Sequence, residues 1–513
     1  MEECAVAIVG AGPVGMVLAG ELALAGIHVA LLERRPTQRL EGSRAGGLQS
    51  RTIEVFDQRG IADRMLAQGT TAQTQLFGGT VLDISDFPTR HPYGLGLWQN
   101  RIEAILAGWV GEIGVAIQYG CEVAGVEHDG RSGGSGVTVR LADGRTMGAQ
   151  YVVGCDGGRS LVRKAAGIAF EGWDATVSTI VAEVEYTDEP EWGMKRGERG
   201  THGIGPIEPG RPTIRVVVTE SELRQGGDPT LDDLRVAMRE VWGTDFGVHS
   251  PTWISRFTDA ARQATAYRAG RILLAGDAAH VHYPAGGQGL NVGVQDAMNL
   301  GWKLAQVVSG VSPGSLLDSY ERERHPVGAA VLQDSLAQVA LRRTDARSKA
   351  VAASVADLLS TDAGRKRFGA RLSGLGVHYP VGEAVGADHP LRGRRMPDLD
   401  LLLPDGSNVR LFALLNGARG VLLDLDGASA VEAGPWADCG RVRVVQVVRA
   451  SRSSREGAAA DVGPDGSPWD LPELGVVEEP TAVLVRPDGY VAWVGCGSSA
   501  GLVEALSEWF GVV

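Results

Sequence analysis

Thiols are few in this chain and scattered. Its 513 residues include five cysteines, Cys4, Cys121, Cys155, Cys439 and Cys496, and no two of them form a CxxC pair. A disulfide scaffold is therefore not expected, and the thiols read as reduced core residues of a cytoplasmic protein. No apolar run is long enough to span a bilayer, and no positively charged, cleavable leader precedes the first strand. Positive charge is also in short supply. Lys and Arg total 49 against 62 Asp and Glu, a net charge of −13 with no basic run, which argues against nucleic acid or an anionic membrane as partner. No metal is expected. The length exceeds what one core holds, so two or three domains are expected.

Glycine, by contrast, is plentiful, and its placement carries information. The run AVAIV (5–9) is short, apolar and closed by glycine, as a buried parallel strand would be. Gly10-Ala-Gly12-Pro-Val-Gly15 follows, then MVLAGELALAG with helical Leu and Ala spacing to Gly26, then a second apolar run, IHVALLE, ending in Glu33. Together they predict a βαβ unit. Gly10 permits the tight turn, Gly12 lets a pyrophosphate touch backbone, and Gly15 lets helix and strand pack closely. Glu33 stands where a carboxylate accepts bonds from both ribose hydroxyls. It would repel a 2′-phosphate, so the resident nucleotide is not NADP. The pattern leaves NAD and FAD both open.

Further stretches add to it. Arg44, in SRAGGLQSRTIEVFDQRGI, lies in a loop that becomes a helix. A guanidinium among small residues suits pyrophosphate oxygens, with a solvated surface arginine as the alternative. Gln99 opens QNRIEAILAGWV, where its amide reads as a donor to a ligand or as a plain N-terminal helix residue. After a hairpin-like VTVRLADGRTMGAQ, the strand YVVG reaches an Asp156-Gly157 turn and a helix from near Ser160. Asp156 reads as a ligand-side acid or as the cap of its own turn. RILLAGDAAH repeats the strand-to-acid pattern, with Asp277 placed to bind a polyol chain. Residues 284–289 are so poor in side chains that backbone N–H groups can approach a flat ligand, and the helix that follows directs its positive end there.

As a set these motifs resemble the group A flavoprotein monooxygenases, the aromatic hydroxylases built like p-hydroxybenzoate hydroxylase, over roughly residues 4 to 345. The nearer likeness is to bacterial hydroxylases that tailor aromatic polyketides and to rifampicin monooxygenases. The resemblance implies tightly bound FAD, with Gly12, Val14, Gly15, Glu33 and Arg34 at its ADP half, Arg44 at the pyrophosphate, Gln99 near the ribityl chain and ring, and Val123 on the adenine side. It further implies Asp156 in a second acidic turn, Asp277 at the ribityl hydroxyls, Pro284 on the ring face, and Gly289, Leu290 and Asn291 as backbone donors to the pyrimidine edge. Only one dinucleotide cradle is visible, so NAD(P)H is expected as a transient co-substrate. The implied reaction is hydroxylation of a large aromatic, polycyclic and polyketide-like, by a C4a-hydroperoxyflavin formed with O₂. Two alternatives stay open: Baeyer–Villiger oxygenation or oxidative inactivation of an antibiotic on the same fold, and a non-oxygenase flavoprotein reductase. A homodimer is compatible with this reading.

The expected architecture is α/β and α+β. A Rossmann-type FAD-binding domain occupies 1–71, 99–172 and 263–385. An antiparallel-sheet substrate domain occupies 72–98 and 173–262, where TIVAEVEY and TIRVVVTE alternate apolar and polar residues. A thioredoxin-like domain, without paired thiols and so structural, or a dimerisation or lid-supporting element, covers 386–513. Phe77, Trp98, Ile204, Pro206, Arg215, Val217, Phe246, His282 and Tyr283 are candidates for lining the substrate pocket. His280 and His282 invite assignment as a base, but a histidine in a packed loop is more often structural, and no catalytic acid or base is assigned.

Overall fold

In the computed structural model, which describes residues 2–128, 136–197, 200–207, 212–224, 226–380, 389–425, 431–451, 469–471, 475–477 and 480–513, the first apolar run becomes the strand Glu2–Val9. It is buried because it has a parallel neighbour on each side, Val29–Glu33 and Thr146–Gly154. Ile272–Leu274 lies parallel beyond Thr146–Gly154, and Ile117–Tyr119 beyond Val29–Glu33. Three strands thus end side by side at Val9, Gly154 and Leu274. Each is followed by one of the glycine or acidic turns picked out above. The turns bond across the sheet edge: Gly10 N–H donates to the Leu32 carbonyl (2.8 Å), Cys155 N–H to Val9 (2.8 Å) and Ala275 N–H to Gly154 (3.0 Å).

The cradle helix Pro13–Leu24 packs on the long helix Gln288–Val308. Two glycines of the long helix permit that approach. A Cβ on Gly293 would lie 2.6 Å from Val14, and one on Gly301 would lie 2.4 Å from Glu21.

A second, five-stranded antiparallel sheet is ordered Gly193–Arg196, Thr201–Pro206, Thr213–Thr219, Ser178–Glu185, His249–Thr258. One face carries Ile180, Ala182, Val184, Ile204, Ile214, Val216 and Val218 and is covered by Leu234, Ala237 and Met238 of the helix Leu231–Trp242. That helix has a reciprocal Thr230/Asp233 capping box and ends at Gly243, φ 76°. Strand alternation puts Thr179, Val181, Glu183, Arg215, Val217, Trp253, Ser255 and Phe257 on the opposite face.

Residues 72–98 do not join this sheet. Thr74–Phe77 and Thr80–Asp83 form a separate hairpin about Gly78 and Gly79, both at positive φ. Its apolar residues Phe77 and Leu82 are taken up by Leu359 and Leu372 of the downstream helices. Gly94–Gly96 pairs instead with Gly47–Leu48 and Thr70–Ala72. The expected boundary at 385/386 lies outside the described residues.

The C-terminal stretch forms a mixed sheet ordered Val442–Gln446, Gly420–Asp424, Ala482–Val485, Val491–Gly495, with the first pair parallel and the others antiparallel. It is held to the rest by buried charge. Arg486 makes two bonds to Glu323 (2.6 and 2.9 Å), and Lys303 Nζ donates to the same carboxylate (2.8 Å). Burial alone would push Glu323 up, but the charges of Arg486 and Lys303 outweigh it and hold the carboxyl well below its usual range. Burial depresses the Lys303 ammonium to about 8 against the pull of Glu323.

Glu323→Gln leaves two buried cations short of a counter-charge and should cost about 3–5 kcal/mol at neutral pH. A depressed carboxylate contributes stability above its unfolded pKa and loses it as pH falls. The thermal-unfolding gap between wild type and Glu323→Gln should therefore be full at pH 7 and narrow below about pH 4.3. A gap that widens in acid would refute the assignment.

Candidate functional site

The three strand ends frame one groove. Gly10 and Gly15 serve packing: an added Cβ would lie 2.5 Å from the Cys155 carbonyl oxygen in the first case and 1.9 Å from the Gly10 oxygen in the second. At Gly12, an added Cβ would meet no atom within 4 Å. The one glycine whose hydrogen side is open is the one expected to touch pyrophosphate. Val14, half-buried, fixes the base of the groove against Gly276 and Gly293.

Glu33 is buried and accepts the Ala11 and Arg35 N–H groups, both at 2.9 Å, so it holds the turn. Arg34 points outward and is exposed, whereas Arg35 turns in and bonds Glu103 (2.9 Å). Glu103 also accepts from Gln99 Nε2 (2.8 Å), and Gln99 Oε1 accepts the Ala45 N–H (3.2 Å). Sequence reading missed Arg35 and Glu103. The four-residue spacing of Gln99 and Glu103 on one helix was the available signal. Val123 begins a strand just past Cys121, whose N–H donates to the Glu33 carbonyl (2.9 Å), which sets that segment beside the ribose acid.

Asp156 caps the short helix Leu161–Ala165: its Oδ2 accepts from Leu161 N–H (2.7 Å) and Val162 N–H (3.1 Å). The capping alternative is thus realised with one oxygen, and Oδ1 is buried with no partner. Asp277 sits in a tight turn, exposed, and its carboxylate takes no hydrogen bond among the described residues. Pro284 is exposed at the entry to the glycine loop, where Gly286 (φ 73°) and Gly287 (φ 63°) adopt the left-handed conformation. A Cβ on Gly289 would fall 3.8 Å from Asp277 Oδ1 and 3.7 Å from His282 Nε2, so acid, imidazole and helix start share one small space. The first N–H groups of the long helix have no helical acceptor and face this space. Leu290 is half-buried, and the Asn291 side chain is fully used inside the protein, accepting Gln49 N–H (2.8 Å) and donating to the Gly287 and Gly47 carbonyls (2.9 and 3.2 Å). Only its backbone is left for a ligand.

The two histidines are not alike. His280 is buried and bonded through Nε2 to Asp296 (2.7 Å), which also accepts Gly276 N–H and Arg324 Nε. It is structural. His282 donates Nδ1–H to its neighbour's carbonyl (2.9 Å), leaving Nε2 a buried lone pair without a partner. Burial pushes its pKa down, so it is neutral.

Of the expected pocket residues, Arg215 and Val217 lie on the open face of the sheet, and Trp98 and Tyr283, half-buried, lie against that face: Arg215 is over the Trp98 ring (4.9 Å) and Phe257 is 5.7 Å from Tyr283. Ile204 and Phe246 do not line the groove; both are buried under the helix Leu231–Trp242. Ile204 pairs with Val216, and directly paired residues share a face. Pro206, paired with Ile214, is on that same wrong face and exposed. Phe77 belongs to the hairpin core, 4.8 Å from Phe368.

The donor set fits a dinucleotide with a polyol and a flat ring: an open glycine for pyrophosphate, an acid at each end, and bare amides between. Comparison with known proteins agrees. A family profile described as "FAD binding domain" matches residues 3–335, and one described as "Aromatic-ring hydroxylase, C-terminal" matches 389–512. The chain is similar to the solved structure of OxyS anhydrotetracycline hydroxylase from Streptomyces rimosus, with 39% identity, 99% of each chain covered and a TM-score of 0.87. It is 41% identical to a rifampicin monooxygenase of Streptomyces venezuelae, over 99% of this chain and 98% of that one. It is 36% identical to a dialkyldecalin synthase of Streptomyces rugosporus, with the same coverage.

Gly12 has φ −72°, which valine accepts. Gly12→Val should therefore purify without flavin and melt with flavin-stripped wild type, whereas Gly15→Val should melt below it. Asp277→Ala should weaken FAD binding roughly ten- to a hundredfold, the worth of a charged hydrogen bond, as read by flavin fluorescence titration. Normal flavin content in Gly12→Val would refute the cradle.

Proposed function

Since the chain belongs to the FAD-dependent aromatic-ring hydroxylases, we propose that it is a monooxygenase that uses NAD(P)H and O₂ to hydroxylate a large polycyclic aromatic of polyketide type. The carrying observation is the groove itself: Gly12 is open, Val14 beside it touches Gly276 and Gly293, and the unbonded Asp277 carboxylate lies next to Gly289 in the first turn of the helix Gln288–Val308. The open face of the antiparallel sheet carries Arg215, Trp253 and Phe257, and beside them two glycines, Gly203 and Gly205. A Cβ on Gly205 would meet nothing within 4 Å, and one on Gly203 would meet only the flexible Met194 and a backbone oxygen. A flat, extended substrate suits such a floor better than a small phenol does.

When bound, FAD supplies the two-electron and oxygen chemistry. The chain's part is to hold and orient. Gly12 and the amides after it seat the pyrophosphate. Asp277 takes ribityl hydroxyls, and the amides of residues 289–291 with the helix dipole favour negative charge on the ring edge they face. Asp156 Oδ1, His282 Nε2 and Gln288 Oε1, all buried and without a partner among the described residues, are further polar points around the groove.

The domain reading is part of the proposal: FAD-binding residues 1–71, 99–172 and 263–385, a substrate sheet of which 173–262 is the core, and a thioredoxin-like structural unit from 386. So are a cytoplasmic location and a homodimer; among the described residues no helix is long and apolar enough to cross a membrane.

A second reading has support in the dialkyldecalin synthase likeness: the fold guides a reaction of a bound polyketide without oxygen insertion. Substrate-stimulated NAD(P)H oxidation across anthraquinone, angucycline and ansamycin compounds separates the two. One O₂ consumed per NAD(P)H and a product heavier by one oxygen are expected. A product isomeric with its substrate, formed without O₂ uptake, would favour the second reading. Ring opening or ester formation would mark Baeyer–Villiger chemistry.

A further inference from the structure

The loop of residues 42–46, Gly-Ser-Arg-Ala-Gly, runs between the cofactor groove and the antiparallel sheet, and it is gripped from above. Trp253 lies flat on Gly42: a Cβ there, at φ 69°, would be 2.1 Å from the indole. Trp98 lies on Gly46, with the corresponding distance 3.0 Å. Any side chain at either glycine would displace a ring. Between them the Ser43 N–H donates to Glu183 Oε1 (3.2 Å), and the Arg44 guanidinium donates to Ser255 Oγ (3.1 Å).

Arg215 closes the arrangement. Its guanidinium stands 4.9 Å from the Trp98 ring centre and 6.0 Å from that of Trp253, and its Nη1 reaches the same Glu183 oxygen that holds Ser43 (3.4 Å). One cation thus faces two indoles that come from different parts of the fold. Trp98 precedes the helix Gln99–Glu112 beside the groove, and Trp253 is on the strand His249–Thr258 of the sheet. A planar guanidinium suits this place, where a compact ammonium could meet only one partner well.

We propose that Arg215 is a positioning residue: with Glu183, Trp98 and Trp253 it pins the 42–46 loop to the antiparallel sheet and so fixes the height of the cleft in which the substrate lies. The consequence for the reaction rests on the hydroxylase reading above; the clamp itself does not. A cleft of fixed height holds a flat ring at one distance from the groove. A loosened one lets the substrate tilt and lets water in, and reducing equivalents are then lost to peroxide.

The test uses the full chain with FAD. Arg215→Met keeps the apolar stem and removes the charge; Glu183→Ala removes the acceptor of the Ser43 amide from the other side. Hydrogen–deuterium exchange of the peptide spanning 42–46 should rise about tenfold or more in each variant, as local opening demands, while the peptide of Pro13–Leu24 is unchanged and FAD stays bound. The fraction of NAD(P)H oxidation that ends in product should fall severalfold, and Arg215→Lys should restore part of the amide protection but less of the coupling. Unchanged exchange at 42–46 in either folded variant would overturn the clamp. Raised exchange with unaltered coupling would overturn its positioning role, and so would loss of FAD, which would make the clamp a support of the cofactor through Arg44 of the loop and not of the substrate cleft. If the wild type oxidises no aromatic at all, the hydroxylase reading fails, and the exchange arm still decides the clamp.

Discussion

Three parallel strands end on one line because their hydrogen-bond ladders share the strand Glu2–Val9 and its neighbour Thr146–Gly154. The groove depends on this register more than on any side chain. A parallel ladder delivers each following turn to the same edge, and here the turns also touch: Gly10 has room for no Cβ because the Cys155 carbonyl is there. A slip of one residue in any of the three strands would turn its acid or glycine to the other face. Gly12 can be open because Gly10 and Gly15 are closed.

A second constraint acts from outside the groove. Arg51, Arg59, Lys303 and Arg324 are buried cations on segments that underlie it. Each carries a desolvation cost that only hydrogen-bonded partners offset. Several of those partners come from the C-terminal stretch: the Asp488 carbonyl for Arg51, and the Leu415 and Pro487 carbonyls for Arg59; Lys303 bonds Glu323, a carboxylate it shares with Arg486. Arg324 bonds Asp296, which holds the Gly276 N–H at the groove, and it also reaches the Tyr379 hydroxyl; Tyr379 stacks on Tyr490 at 4.1 Å. A unit without a thiol pair thus has a physical role, since it supplies acceptors that the groove's supporting helices would otherwise lack.

What the sequence disclosed and what it withheld divide along the range of the forces involved. The cradle, both acidic turns and the glycine loop were legible because each is local: a strand, a turn and a helix within a few residues, written in glycine and apolar period. The capping role of Asp156 was legible for the same reason. Ile204 and Phe246 were misplaced because apolar size says nothing of which face of a sheet is covered. That is fixed by strand pairing and by the helix Leu231–Trp242. Phe77 was misplaced because its hairpin closes on itself and finds helices nearly 300 residues later in the chain. Arg35 and Glu103 escaped notice because their meaning lies in a contact across 68 residues.

The groove's own side chains bear on why relatives with different products share this scaffold. His280 has its Nε2 committed to Asp296, and His282 has spent its only proton on a carbonyl and stays neutral through burial. Tyr267 and Tyr320, behind them, are pushed by burial well away from neutral pH. One ring nitrogen of each histidine is thus held by a protein acceptor. The reaction's outcome then turns on where the substrate's atoms lie relative to the cofactor, which is a matter of cleft height and of which residues stand on the open face of the sheet. On such a scaffold a change of product needs no new catalytic group. It needs a change at positions such as Met194, Gly203, Gly205 or Val217, which lie outside the apolar core beneath the helix Leu231–Trp242.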